Sequence, residues 1–145
     1  MYKHILAPTD GSALALTAVT QAIKLAKVTN AKLTFLTVGA PFHVFAADNE
    51  VVADARPEYE ARAKLKADNT LSVCEQAANK AGVPCQTRFV TAEHPYEAIV
   101  RTAEDAGCDL IMMASHSRQG LKGLLLGSET QKVLAHSKTP VLVYR

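Results

Sequence analysis

The chemistry of this chain concentrates in Leu110-Ile-Met-Met-Ala-Ser-His-Ser-Arg-Gln-Gly-Leu-Lys-Gly-Leu-Leu-Leu-Gly-Ser-Glu-Thr. A short apolar run breaks off into small and polar residues, a Gly-punctuated loop follows, and Gly127-Ser128 opens a helix leading to a second apolar run, Pro140–Tyr144. Strand, polar loop and helix N-terminus is the order in which α/β proteins build a phosphate site. The unpaired N–H groups and the positive end of the helix dipole converge there on an anion. A plain turn with a capping serine writes the same local pattern, so both readings stay open on these residues alone. A second polar tip, Ala7-Pro-Thr-Asp10, ends an apolar run near the start of the chain.

Three common phosphate schemes are excluded. A Walker loop needs a Lys before its Ser or Thr, and Gly127 precedes Ser128. A dinucleotide fingerprint needs Gly-x-Gly-x-x-Gly after the first strand, where this chain has Pro8-Thr-Asp-Gly-Ser. A phospho-receiver site needs an acidic cluster for a metal, and the first tip offers only Asp10. His4, His43, His94 and His136 share no metal-ligand spacing and read as surface or cap residues. No nucleophile stands with a base as a committed catalytic pair, so a slow ATPase is the most that enzymatic chemistry would reach.

The elements that must position these tips alternate. Residues 3–7 read as a first strand and 12–29 as a helix, with Ser12 as cap, Leu16, Val19, Ile23 and Ala26 on one face, and Asn30 at the left-handed stop. Leu33–Val38 is rich in strand formers. Residues 39–56 show no period, which makes a connection too long to be ordinary and predicts a mobile or functional loop. A long helix is predicted from Pro57, placed in its first turn, to Ala81, with Ala63, Ala67, Leu71, Cys74 and Ala78 on its buried stripe. Strand 85–90, a helix from Pro95 to Gly107, strand Leu110–Met113, helix Glu129–His136 and strand Val141–Tyr144 complete the series.

This βαβαβαβαβ rhythm implies one α/β domain over residues 1–145, a doubly wound five-stranded parallel sheet in the order 3-2-1-4-5. Ligands of such sheets bind beyond the strand ends where the order reverses. That places Asp10, Ser115, His116, Ser117 and the Gly127-Ser128 helix start around one crevice.

Composition bounds the partners. The 145 residues are 48% hydrophobic and 21% charged, with a net charge of +2, the profile of a globular domain without a forced basic face for nucleic acid. No apolar stretch approaches the roughly 20 residues of a membrane span, and the N-terminus lacks the shape of a signal peptide. Cys74, Cys85 and Cys108 have no C-x-x-C spacing and read as small buried hydrophobes. A cytoplasmic protein without nucleic-acid or membrane partners is expected.

The chain resembles the universal stress protein family over essentially its whole length. The resemblance rests on Ile5-Leu-Ala-Pro-Thr-Asp-Gly-Ser, Leu36-Thr-Val38, Gly107-Cys-Asp-Leu-Ile-Met-Met-Ala-Ser-His, and Leu124-Leu-Leu-Gly-Ser through Thr139-Pro-Val-Leu-Val. It implies a Rossmann-like, adenine nucleotide alpha hydrolase-like fold and a stress-response regulatory role. It also implies a homodimer paired through the last strand, and in many members a bound ATP or AMP, with or without magnesium. Nucleotide-binding members carry Gly, two residues, Gly, nine residues, then Gly-Ser or Gly-Thr. Here Gly127-Ser128 matches, while Ala114 and Ser117 replace the two upstream glycines.

Ala114 adds one methyl, tolerable on extended backbone, and Ser117 would donate to a phosphate at negative φ. By the resemblance Thr9 and Asp10 face the ribose or base and the backbone of Val38 meets the base. Pro8 and Met113 stand at the same strand ends, and Ser117, Gly127, Ser128 and the Glu129 N–H hold the phosphates. Asp10 as a cap of the first helix, and Arg118 as either a phosphate partner or an exposed loop cation, remain open readings. His116 is assigned a positioning role towards phosphate or Asp10. Glu129 places a carboxylate in the same helical turn as the phosphate, unless it points to solvent. The alternative is a nucleotide-free member acting through protein contacts. The run Val141-Leu-Val-Tyr144, followed only by Arg145, is expected at a sheet edge, where a second copy would pair with it.

Overall fold

The computed structural model describes residues 1–43, 49–116 and 126–145, and the backbone alone for 49–54. Five strands and four helices alternate: β1 His4–Pro8, α1 Ala13–Thr29, β2 Lys32–Gly39, α2 Asn49–Ala81, β3 Cys85–Thr91, α3 Pro95–Ala106, β4 Leu110–Ala114, α4 Ser128–His136 and β5 Val141–Tyr144. The sheet order is β3-β2-β1-β4-β5 and every pairing is parallel, as the alternation predicts. Leu110 to Ala114 are all buried, so β4 is covered on both faces.

The period-two alternation of β1 divides the core. Ile5 and Ala7 join the cluster formed with Val19, Ile23, Leu71 and Cys74 of α1 and α2. Leu6 joins the opposite cluster with Ile99 and Ala103 of α3 and Val133 of α4. Ser12 caps α1, its Oγ accepting the Ala15 N–H at 3.3 Å, and Asn30 ends it at φ 55°. No described helix is long and apolar enough to cross a membrane.

Two expectations need correction. α2 starts at Asn49, eight residues before Pro57, which therefore lies inside the helix rather than in its first turn. Proline there lacks the N–H for one intrahelical bond. The turns that follow are laced by i,i+4 pairs, Arg56–Glu60 at 3.0 Å, Glu58–Arg62 at 2.7 Å and Lys64–Asp68 at 2.9 Å. The predicted loop at 39–56 is shortened accordingly, and its residues 44–48 lie outside the described ones.

His4, expected at the surface, is only 4% exposed. Its Nε2 lies 2.7 Å from the Thr34 hydroxyl oxygen, which also accepts from Gln86 Nε2 at 2.8 Å. Burial and the charge of Lys32 push the His4 imidazole below its ordinary value, against the Ala106 carbonyl and Asp109. Cys74 and Cys108 are buried free thiols, as expected, and burial raises both to about 11. Cys85 is only partly buried.

Candidate functional site

β1 delivers its tip through a tight turn. The Thr9 N–H donates to the Leu36 carbonyl at 2.8 Å, and the Thr9 carbonyl accepts from the Thr37 hydroxyl at 3.0 Å. Gly11 then takes φ +80°, where a Cβ would stand 2.9 Å from Thr70 Oγ1 of α2, so the turn needs glycine both for its backbone and for room. Asp10 Oδ1 accepts the Ser12 N–H at 2.9 Å, which tethers the carboxylate to the start of α1 beside the true cap, Ser12.

The β4 tip meets it. His116 Nε2 lies 3.5 Å from Asp10 Oδ2 and 3.3 Å from Ser12 Oγ. The two tips predicted to be neighbours are thus linked side chain to side chain, and His116 takes the Asp10 side of its two predicted contacts. Burial pushes the Asp10 carboxyl up, but the Ser12 hydroxyl and N–H together with His116 outweigh it and hold the group below its ordinary value.

Ser115 and Gly127 join the β4 tip to the start of α4, and neither lines the crevice that opens between the tips. The buried Ser115 donates its N–H to the Tyr144 carbonyl at 2.9 Å, and its Oγ accepts the Gly127 N–H at 2.9 Å. A Cβ on Gly127 would lie 2.6 Å from the His116 carbonyl oxygen. With φ at −57°, it is this close approach and not the backbone angle that demands glycine. Gly127 is also the N-cap of α4, and Ser128 is its exposed first residue rather than the capping serine. The first-turn N–H groups of Ser128, Glu129 and Thr130 therefore have no side-chain cap. Ala114 lies on extended backbone in β4, the condition under which its methyl is tolerable.

Glu129 does not point away into solvent. Its Oε2 accepts the Tyr96 N–H at the start of α3 at 3.0 Å, and its Oε1 lies 3.4 Å from Lys132 Nζ. The carboxylate thus occupies the positive end of α3 and fastens α4 to α3. Lys132 in turn sits over the Tyr96 ring, 5.7 Å from its centroid.

Between these tips opens a crevice of about 220 Å³. Pro8, Thr9, Asp10, Val38, Met113, Ala114, His116 and Glu129 all line it. Its remaining wall is apolar, from Ala15, Leu36, Pro95 and Ile99. Sequence reading missed these four because Leu36 and Ile99 carry the periodicity of core residues, which they also are. Gly127 and Ser128 are not among the lining residues, and Ser117 and Arg118 lie outside the described ones. The volume falls just below the roughly 300–1,000 Å³ of ordinary ligand pockets. A crevice of apolar walls with a few convergent polar groups, at the point where strand order reverses, fits a small ligand. Among the described residues no three His, Cys, Asp or Glu side chains gather as a metal site.

The sheet order defines an α/β protein of the doubly wound class, with a crevice where the strand order reverses. The chain belongs to the universal stress protein family, which it matches over residues 1–145. It is 33% identical to the universal stress protein YxiE of Bacillus subtilis over 151 residues, covering 100% of both chains. It is 32% identical to the universal stress protein MJ0577 of Methanocaldococcus jannaschii, covering 100% of this chain and 96% of the relative. The solved structure of MJ0577 superposes with a TM-score of 0.81 at 31% identity over 99% of this chain and 95% of that one. A universal stress protein in complex with cAMP superposes with a TM-score of 0.74 at 30% identity over 99% and 97% of the two chains.

Proposed function

We propose that this chain is a stress-response regulatory protein that binds an adenine nucleotide, ATP or AMP, in the crevice between the tips of β1 and β4. The observation that carries this reading is the crevice itself: eight residues assigned to nucleotide from the sequence line one cavity at the switch point. The cAMP complex of a 30% identical relative supports the ligand class. The base would lie against Val38 and Met113, the ribose towards Asp10, and the phosphates at the uncapped first turn of α4. No metal group is gathered by the described residues, so any magnesium would arrive on the phosphates. Calorimetry with AMP and ATP tests this. Saturable binding that weakens when Asp10 is changed to Ala supports it, and no heat at millimolar nucleotide sinks it.

Two observations favour the nucleotide-free alternative strongly enough to keep it in the experiment. The Gly127 N–H is already taken by Ser115, and the Glu129 carboxylate stands in the lining where anionic ligand would approach.

The functional unit would be a cytoplasmic homodimer joined through β5. β5 is an edge strand of four apolar or aromatic residues, with Leu142 38% exposed, and such an edge invites pairing. Light scattering at tens of micromolar should give twice the chain mass, and Val143→Glu should shift it towards monomer.

A further inference from the structure

A second cavity lies on the opposite face of the sheet, the side covered by α1 and α2. It is the larger of the two, about 440 Å³ against about 220 Å³. The C-terminal end of β2 from Thr37 to Ala40, Phe89 of β3 and one face of α2 enclose it. The nucleotide reading makes no use of it, although Asp10 and Val38 border both cavities.

Its walls have a definite chemistry. Phe89, Val38, Ala63 and Ala67 provide an apolar floor and sides, while Arg62 and Lys66, one helical turn apart on α2, place two cations along one wall. Among the described residues Asp10 is the one carboxylate in the lining, and it faces Ser12 and His116. Arg62 is paired with Glu58 at 2.7 Å, whereas Lys66 is in none of the ion pairs among the described residues.

The cavity is held open by fixed parts. Tyr59 is tied by its hydroxyl to the Ala40 carbonyl at 3.0 Å and packs against Phe42 with ring centroids 5.3 Å apart. Phe89 lies so close over Gly39 that a Cβ there would stand 2.9 Å from the ring, so the glycine lets the ring settle as floor instead of being pushed into the space. Two such devices flanking one concavity set its shape before any ligand arrives.

We propose that this α2-side cavity is a second ligand site, selective for a small organic anion with a flat apolar body. The body lies on Phe89 between Val38 and Ala63, and the anionic head faces Lys66 and Arg62. Neutral apolar molecules forgo the two cations, and inorganic anions forgo the floor. The site is distinct from the nucleotide crevice, and its occupancy can reach that crevice through Asp10 and Val38, which line both.

Anilinonaphthalene sulfonate, an aromatic sulfonate of this class, is the probe. It should bind one to one with enhanced fluorescence and shift the amide NMR signals of Val38–Ala40, Tyr59–Lys66 and Phe89, leaving those of Ala114–His116 and Val141–Tyr144 in place. Lys66→Gln should weaken it about fivefold, the upper end for an exposed ion pair. Ala63→Leu, a helix-compatible change that fills the space, should abolish it while the far-ultraviolet circular dichroism stays native. Sodium sulfate alone should neither shift these amides nor compete at equal concentration. The proposal is overturned if the probe fails to bind at millimolar concentration, if its shifts fall on β5 or on Ala114–His116, or if Ala63→Leu binds it as the unmodified chain does.

Discussion

Replacing Gly127 by Ala tests the steric core of the site. The added Cβ would lie 2.6 Å from the His116 carbonyl oxygen, 3.3 Å from its carbon and 3.4 Å from its nitrogen. All three are backbone atoms, so no side chain can swing aside. The helix start and the β4 tip must part by roughly half an ångström or more before the contact becomes ordinary. Forced overpacking of this kind costs about 1–3 kcal/mol. The same displacement stretches the Gly127 N–H bond to Ser115 Oγ, now 2.9 Å, at a further ~1 kcal/mol. Against this, alanine restricts the unfolded chain and returns about 0.4–1 kcal/mol. The net expectation is a loss of about 1–3.5 kcal/mol. For a domain of 145 residues that lowers the melting temperature by about 3–12 °C. Urea unfolding of Gly127→Ala and Ser115→Ala side by side separates the contributions, since Ser115→Ala forfeits only the hydrogen bond and should lose about 1 kcal/mol. If Gly127→Ala is no less stable than Ser115→Ala, the close approach of Gly127 to His116 is not what fixes glycine there.

Glu129→Ala removes both the anion and the acceptor from the start of α3 and should lower stability by about 1 kcal/mol in urea unfolding, with fast amide exchange appearing at Tyr96; unchanged exchange there refutes the clamp. If nucleotide binds, the same variant should favour ATP over adenosine more than the unmodified chain does, measured by calorimetry. His4, whose native value lies below its ordinary 6.5, is held neutral in the folded chain. The unfolded state therefore binds the extra proton first, and stability, full above 6.5, declines as pH falls from there through the lowered native value. Urea midpoints measured from pH 8 to 5 should show this fall, and His4→Gln should flatten it.

The fold was legible because its signals were redundant. Ile5 and Leu6 alternate, Leu71, Cys74 and Ala78 recur at helical spacing, and Asn30, Gly82 and Gly107 stand at helix ends with positive φ. Each marks an element without reference to the others, and the parallel order follows from their alternation. The start of α2 was not legible, because proline is at home in a first turn and costly inside a helix. Its structural context is the ladder of charge pairs after Pro57, which sequence alone writes equally well for a helix that begins there. His4 failed for a related reason. A lone histidine beside a lysine looks solvated, and it takes β2, with Thr34 held in turn by Gln86 of β3 through the register Thr34↔Gln86, to give His4 its buried hydroxyl partner.

In the candidate site the residues were legible and their bonds were not. Asp10, His116 and Gly127 announce polar strand ends and a helix start by type and spacing, and eight of the assigned residues do line one crevice. What each does there depends on partners far away in sequence. Ser115 was read as part of a polar tip, yet it spends its hydroxyl on Gly127 and so fixes how close α4 comes to β4. Glu129 was read as competing with phosphate or pointing to solvent, and its carboxylate reaches across to the Tyr96 N–H of α3 while the residue still lines the crevice. The consequence is a division of labour at the helix start. Gly127 lets the helix start approach the β4 tip closely and contributes no free N–H, whereas the N–H groups of Ser128, Glu129 and Thr130 remain without a side-chain cap. Among the described residues of the helix start, those three groups are the ones an anion held at this end of the sheet would use. Its affinity should therefore depend on the position of the helix backbone, set by Ser115 and Gly127, more than on the hydroxyl of Ser128.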